Sequence, residues 1–147
     1  MPGVVGVHSE ILTALLEQAQ REPLNECCGL LAGQGGVITR AFPGTNAADD
    51  AAKAYEIAPE ELFRLLREIR TAGLELLGIY HSHPAGENQP SGRDIERAYY
   101  PAAVQFILSP RADAPKPVRA FWIRGGQVTE LEIEAAEPRT RDAIATI

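Results

Sequence analysis

The chain has 147 residues, of which 45% are hydrophobic and 23% charged, and its formal net charge at pH 7 is −6. This length and composition predict one globular domain with a sizeable core, and the acidic balance argues against nucleic-acid binding as its main function. No apolar run approaches the roughly 18 residues of a membrane span, and Met1–Val4 lacks the basic start and long apolar core of a secretion signal. We therefore expect a cytoplasmic protein with no membrane partner.

The first third of the chain predicts a strand, a helix and a hairpin. A short strand is indicated at Val4–Val7, and a helix with Ser9 as its N-cap is indicated from Glu10 to about Arg21, where apolar residues recur on one face. Two apolar runs, Cys27–Ala32 and Val37–Phe42, are joined by a glycine-rich turn at Gly33–Gly36. Such runs around such a turn are typical of a β-hairpin.

The middle of the chain predicts a strand, a second helix and a buried strand. Ala54–Ile57 has the composition of a strand, and Pro59 suits the first position of a helix that runs to Thr71, with Gly73 as its C-terminal cap. The apolar run Leu76–Tyr80 then predicts a buried strand.

The last part predicts a short helix after Asp94, reaching about Tyr99 or Tyr100. Further strands are expected at residues 104–108, 118–123 and 128–133. We place the domain at residues 1–134 and a polar C-terminal tail at 135–147. Because helices and strands interleave without the alternation of a doubly wound fold, we expect an α/β (α+β) domain with a single mixed, mainly antiparallel sheet sandwiched by helices, and the pattern leaves the topology open.

Two histidines, His81 and His83, follow the buried run Leu76–Tyr80. Side chains two residues apart in a strand lie on the same side, so both imidazoles can bind one metal ion. A catalytic zinc site has three protein ligands and an open position for water. Asp94 is the natural third ligand, because the two prolines and two glycines of the loop 84–92 allow the chain to turn back toward the histidines.

The same residues also have explanations that need no metal. A histidine pair at a strand end is equally typical of a solvated edge, and Ser91-x-x-Asp94 fits a helix N-terminal capping box. The capping and metal interpretations are compatible, because an aspartate held in the first helical turn can still bind a metal. The metal interpretation is favoured by the combination of these positions with a distant glutamate, Glu26.

Glu26, His81-Ser82-His83-Pro84 and Ser91-x-x-Asp94 together resemble the JAMM (MPN-plus) metallopeptidase family. In that family a glutamate precedes a glycine-rich apolar strand, His-x-His-Pro follows, and a serine further on stands three residues before an aspartate. The resemblance in layout covers about Val4 to Ile133. It implies a deaminase-like JAMM/MPN fold.

The resemblance also implies roles for five residues. One Zn²⁺ per chain would be held by His81, His83 and Asp94, with Glu26 as the catalytic base that moves a proton from water to the leaving amine. Ser91 would donate a hydrogen bond to the oxyanion, since no histidine remains to activate it as a nucleophile. Without the motif, a glutamate such as Glu26 would equally well cap or pair at a strand start.

The function implied is zinc-dependent hydrolysis of a peptide or isopeptide bond after the C-terminal Gly-Gly of a ubiquitin-fold or sulfur-carrier protein. In length and layout the chain is similar to small prokaryotic peptidases that release cysteine from a sulfur carrier, and the stretch from Asp94 to Val104 is too short for an insertion that reads a polyubiquitin chain. The alternatives are a catalytically inert MPN-type scaffold and a phage-tail or cell-wall peptidase. The sequence leaves the oligomeric state open.

Other candidate residues have simpler explanations. Glu87 is interpreted as a solvated loop acid, His8 as a surface or capping residue, and the adjacent Cys27 and Cys28 as one core and one outward side chain rather than a disulfide. The chain lacks the Pro-Cys-x-x-Cys element that follows His-x-Glu in a nucleobase deaminase, and it lacks the His-Glu-x-x-His motif of thermolysin-like peptidases.

Overall fold

The computed structural model describes residues 3–137, which form seven strands and three helices. In chain order these are β1 (Val4–His8), α1 (Ser9–Arg21), β2 (Cys28–Gln34), β3 (Val37–Gly44), α2 (Pro59–Thr71), β4 (Glu75–Ser82), α3 (Gly92–Glu96), β5 (Val104–Leu108), β6 (Val118–Arg124) and β7 (Gln127–Ala136). Within residues 3–137, no helix is both long and apolar enough to cross a membrane.

The strands form one mixed sheet in the order β1-β3-β2-β4-β5-β6-β7, and the sheet closes on itself. β2 pairs antiparallel with β3 and β4, and β6 pairs antiparallel with β5 and β7, whereas β4 and β5 are parallel. β1 closes the ring in parallel on both sides: all five of its residues pair with β7, and Gly6 and Val7 also pair with β3. The predicted mixed, mainly antiparallel sheet is confirmed, and its closure is an addition that the sequence pattern did not predict.

Helices cover both faces of the sheet, because alternate side chains of a buried strand point to opposite sides. Leu31 and Tyr80 belong to the cluster that packs against α1. Their neighbours Leu30 and Ile79 belong to the cluster that packs against α2, and α3 forms a smaller cluster with β5 and β6. The predicted arrangement of a sheet between helices is confirmed.

The β2–β3 hairpin turns through Gly35 and Gly36, whose φ angles are 60° and 77°. Two-residue hairpin turns need left-handed backbone at both central positions to match the twist of the strands, and glycine adopts it without a Cβ clash. The predicted hairpin is confirmed.

The predicted strand at Ala54–Ile57 is wrong, because this segment joins no ladder of the sheet. The amide of Asn46 organises it instead: Asn46 Nδ2 donates to Ala54 O at 2.9 Å and to Glu26 O at 2.9 Å, and Asn46 Oδ1 accepts from Glu56 N at 3.2 Å. Since one side-chain amide satisfies these backbone groups, the segment is ordered without a neighbouring strand.

Helix ends follow the sequence signals closely for α2 and less closely for α1. α2 begins at Pro59, and Gly73, with φ 74°, follows its C-cap residue, so both predictions are confirmed. The prediction of Ser9 as the N-cap of α1 is wrong by one residue. His8 is the N-cap and makes no side-chain capping bond, while Ser9 Oγ donates to Glu137 Oε1 at 2.6 Å.

Two predicted boundaries differ from the structure by a few residues. α3 ends at Glu96, short of Tyr99, because the chain passes into tight turns in which Tyr99 N donates to Arg97 O at 2.9 Å. β7 continues to Ala136, two residues past the predicted domain boundary at 134. Residues 138–147 of the predicted tail lie outside the described residues, and the division itself stays a prediction.

Candidate active site

The two histidines lie at the end of β4, which is an interior strand between β2 and β5. His81 is 1% exposed and pairs with Cys28 of β2 and Ile107 of β5. His83 follows the end of β4 and stays attached to the sheet, since its backbone N–H donates to Leu108 O at 2.9 Å. The neighbouring strands therefore fix both imidazoles on one rigid edge.

α3 brings the carboxylate of Asp94 to the histidines. The two Nε2 atoms of His81 and His83 are 3.1 Å apart. Asp94 Oδ1 lies 3.2 Å from His81 Nε2, and Asp94 Oδ2 lies 3.1 Å from His83 Nε2. Ligand atoms of all three residues lie within 4.8 Å of one another, so the structure brings the three predicted ligands together in a potential metal site.

The charge states of the three groups depend on one another. Burial works against ionisation of Asp94, but hydrogen bonds with His81 and His83 outweigh it and hold the pKa of the Asp94 carboxyl below its usual range. Burial lowers the pKa of His81. At His83, burial alone would lower the pKa, but the hydrogen bonds to Asp94 and to the Glu87 carbonyl raise it. The cluster thus combines an ionised carboxylate with a neutral imidazole at His81, which are both forms that bind metals.

Hydrogen bonds and stacking orient the imidazole rings. His83 Nδ1 lies 2.8 Å from Glu87 O, so Nδ1–H donates a hydrogen bond to this carbonyl in the tautomer whose Nε2 lone pair faces the cluster. The Tyr55 ring stacks on His81 with 4.6 Å between centroids and 20° between planes. Glu87 thus contributes only its backbone carbonyl to the site. Its side chain is exposed, which agrees with the prediction of a solvated loop acid.

The predicted capping box at the start of α3 is confirmed. Ser91 Oγ accepts from Asp94 N at 3.1 Å, and Ser91 N donates to Asp94 Oδ2 at 2.9 Å. One carboxylate therefore caps the helix and faces the histidines, so the two interpretations of Asp94 coexist. The capping bond uses the Ser91 hydroxyl as an acceptor and leaves its O–H proton available.

Glu26 lies immediately before β2 and is 6% exposed. Its backbone N–H donates to Ala51 O at 2.8 Å, and its carbonyl accepts from Asn46 Nδ2. Its carboxylate Oε1 is buried without a hydrogen-bond partner among the described residues. Burial, only partly offset by nearby His83, raises the pKa of Glu26 to about 7.

A pair of hydrogen bonds ties the start of β2 to the end of β4. Cys27 N donates to Ser82 Oγ at 2.8 Å, and Ser82 N donates to Cys27 O at 3.0 Å. These bonds hold Glu26, one residue away, against the histidine strand. Ser82 is a residue that sequence reasoning missed, because a serine between two histidines carries no signal of its own.

Both cysteines are free thiols, as predicted, but the expected outward side chain is wrong. Cys27 is 5% exposed and Cys28 is fully buried. Cys28 lies on the same side of the sheet as His81, beneath the candidate site. Neither cysteine is therefore the outward, solvated side chain that we expected. The cytoplasmic location expected from the sequence stays a prediction.

A cavity of about 390 Å³ opens beside the cluster, and both His81 and Asp94 line it. Its floor is Leu30, Ile79 and Gln105, which lie side by side on β2, β4 and β5. One wall is the segment 54–57 with the start of α2, and the other is α3 and the residues up to 100. The site is therefore the end of a cleft rather than an isolated surface cluster.

The closed mixed sheet and the convergent His-His-Asp cluster define a domain of the JAMM/MPN class. The chain belongs to the family of prokaryotic homologs of the JAB domain (Prok-JAB), which matches residues 8–124.

Three relatives are similar in sequence over two thirds or more of the chain. A desampylase from Haloferax volcanii is 42% identical over 102 residues, which cover 68% of this chain and 73% of the relative. The CysO-cysteine peptidase of Mycobacterium tuberculosis is 31% identical over 136 residues, covering 91% and 92% of the two chains. A probable TtuB-protein conjugate cleaving protease from Thermus thermophilus is 35% identical over 135 residues, covering 87% and 86%.

Solved structures support the same fold. A protein from Desulfitobacterium hafniense superposes with a TM-score of 0.79 at 29% identity and covers 93% of this chain and 96% of its own. A JAB1/MPN domain protein from Archaeoglobus fulgidus has a TM-score of 0.60 at 19% identity, covering 89% and 98%.

Proposed function

We propose that the protein is a zinc-dependent peptidase that hydrolyses the bond after the C-terminal Gly-Gly of a ubiquitin-fold or sulfur-carrier protein. The observation that carries the proposal is the convergence of His81, His83 and Asp94 beside the buried carboxyl of Glu26. The names of the relatives, a desampylase, a CysO-cysteine peptidase and a probable conjugate-cleaving protease, support the substrate class.

The residues present fit one zinc ion. Two imidazole nitrogens 3.1 Å apart and a carboxylate shared between them form a nitrogen-and-oxygen donor set, and three protein ligands are typical of catalytic zinc. His81 and His83 would hold the ion through Nε2, and Asp94 through its carboxylate. When bound, zinc supplies Lewis acidity and lowers the pKa of water toward neutrality.

Glu26 supplies proton transfer in this proposal. Its carboxyl has a pKa near 7 and no competing hydrogen bond at Oε1 among the described residues. A group with such a pKa accepts a proton from the attacking water and returns it to the leaving nitrogen at neutral pH. Hydrogen bonds to Ala51 and from Asn46 fix the backbone of Glu26 on both sides, which places its carboxyl at the site.

Ser91 polarises the carbonyl that is attacked. Its hydroxyl oxygen is engaged as a helix cap, so its O–H points away from Asp94 N and can donate to the oxygen on which negative charge develops. The capping box thereby fixes the serine at the site.

We expect the substrate tail to lie in extended form along the segment 54–57. Glu56 N donates to Asn46 Oδ1 at 3.2 Å, and Glu56 O accepts from Ala47 N at 2.7 Å. Neighbouring residues of an extended chain direct their N–H and C=O groups to opposite sides, so those of Tyr55 and Ile57, which line the cavity, are placed to bind a peptide strand. We expect the passage between this segment and α3 to be narrow enough over the site to favour glycine at the scissile bond.

The proposal is tested with ubiquitin-fold carriers that end in Gly-Gly followed by one cysteine, or in Gly-Gly linked to a lysine side chain. Mass spectrometry should show cleavage directly after the second glycine. Cleavage should stop after treatment with a chelator and return with added zinc. A zinc-loaded protein that leaves both carriers intact would refute the proposal, and the ratio of the two rates would identify the leaving group.

A further inference from the structure

The register of the sheet places the base and the cavity on opposite sides of His81. Cys28 pairs with His81, and Leu30 pairs with Ile79 in the cavity floor. Glu26 lies two residues before Cys28 in the chain, and Leu30 lies two residues after it. Since two residues of a strand span roughly 7 Å, Glu26 and the cavity floor lie on opposite sides of the Cys28–His81 pair, each roughly 7 Å away from it.

This geometry orients the substrate, if the proposed function holds. Glu26 has to reach the leaving nitrogen, so the leaving residue lies toward Glu26 and the acyl side lies over the cavity. Two extended glycines span roughly 7 Å. The third and fourth residues before the scissile bond therefore pass over Leu30 and Ile79. There the cavity of about 390 Å³ has room for their side chains.

The α3 wall of the cavity carries two arginines, Arg93 and Arg97, one helical turn apart. Among the described residues, neither arginine forms an ion pair. The hydrogen bond from Arg93 Nη1 to Lys53 O is long, at 3.4 Å. Asp94 is engaged by the histidines, which leaves Glu56 on the opposite wall as the other acid of the lining.

We propose that Arg93 and Arg97 select a carrier tail that has an acidic side chain at the third or fourth position before the scissile bond. Guanidinium groups bind carboxylates through two parallel hydrogen bonds, which are stronger than neutral ones. Arg97 has no ion pair among the described residues, and the positive charge of Arg93 acts on Glu26 as well as on the cavity that it lines. Glu56 reduces the positive potential only in part, because one carboxylate faces two guanidinium groups.

The experiment uses three carriers that end in Gly-Gly-Cys and differ only at the third and fourth positions before the cleaved bond, which hold Glu, Gln or Lys. Binding is measured with the Glu26→Gln variant, and cleavage with the wild-type protein. We expect the Glu tail to bind about tenfold more tightly than the Gln tail, with the difference in KM rather than kcat. Arg97→Glu, and independently Arg93→Glu, should reverse the order in favour of the Lys tail.

Arg67→Gln is the matched control, since Arg67 is an exposed arginine of α2 that lies over Phe63 and does not line the cavity. This variant should keep the wild-type preference. Equal dissociation constants for the three tails would overturn the inference whether or not the carriers are cleaved. Binding that weakens when the terminal cysteine is amidated, with no difference among the three tails, would also overturn it and assign the arginines to the leaving residue. Failure of cleavage alone, with the tail preference intact, would refute only the proposed reaction.

Discussion

Replacing Glu26 by glutamine should remove most activity and at the same time stabilise the metal-free protein. Glutamine has nearly the same shape but cannot accept a proton, and removal of a general base costs about 10²–10⁴-fold in rate. Glu26 is not one of the three residues that converge as metal ligands. Zinc content should therefore stay at one ion per chain while hydrolysis is lost.

The gain in stability follows from the burial of the carboxyl. Burial raises the pKa of Glu26 from 4.5 to about 7, and each pKa unit is worth about 1.36 kcal/mol. An acid with a raised folded pKa destabilises the native state above that pKa, and this penalty disappears as the pH falls below the unfolded value. The glutamine variant should thus be more stable by about 3 kcal/mol at pH 8, with a difference that shrinks steadily toward pH 4.5.

The assay is chemical denaturation of both proteins in the presence of a chelator at pH 8 and pH 5. Glu22→Gln is the control, because Glu22 is an exposed acid near the same strand and should change the free energy of unfolding little at either pH. Equal stability of Glu26→Gln and wild type at pH 8 would contradict the buried, unpartnered carboxyl described above. Turnover near the wild-type value would remove Glu26 from the mechanism.

Three further predictions concern the site. A His81→Ala, His83→Ala double variant should lose bound zinc, because two of three ligands are gone; metal analysis that finds full occupancy would refute the assignment. Ser91→Ala should keep the metal and lower kcat by about 10²–10³-fold, as for other oxyanion donors; steady-state kinetics with an unchanged kcat would exclude that role. Carriers ending in Ala-Ala should be cleaved far more slowly than those ending in Gly-Gly; equal rates by mass spectrometry would contradict the narrow passage over the metal site.

The sequence predicts that His81, His83 and Asp94 converge, because their geometry is local. His81 and His83 share a face of one strand, and Asp94 follows within one short loop, so spacing alone constrains all three. The capping box of Ser91 and Asp94 is likewise a local pattern with a fixed hydrogen-bonding geometry. Such features depend little on the rest of the fold.

Contacts between residues far apart in the chain could not be predicted from the sequence in the same way. The role of Asn46 depends on three backbone groups that come from residues 26, 54 and 56, and nothing in the polar stretch around Asn46 indicates these partners. The strand predicted at 54–57 fails for the same reason, since its composition suits a strand but no neighbouring strand pairs with it. Tyr55 reaches His81 only because of this tertiary arrangement.

The closure of the sheet by β1 has a consequence for how the protein is made. Within residues 3–137 β1 is synthesised before the other strands, yet its full ladder is with β7, which comes last among them, and before that only Gly6 and Val7 can pair, with β3. Pairings this distant along the chain are slow to form, because the entropy of closing the loop is lost before the contacts are gained. A nascent chain on the ribosome would therefore carry an incompletely paired first strand until β7 emerges, and during that interval it is exposed to pairing with other chains.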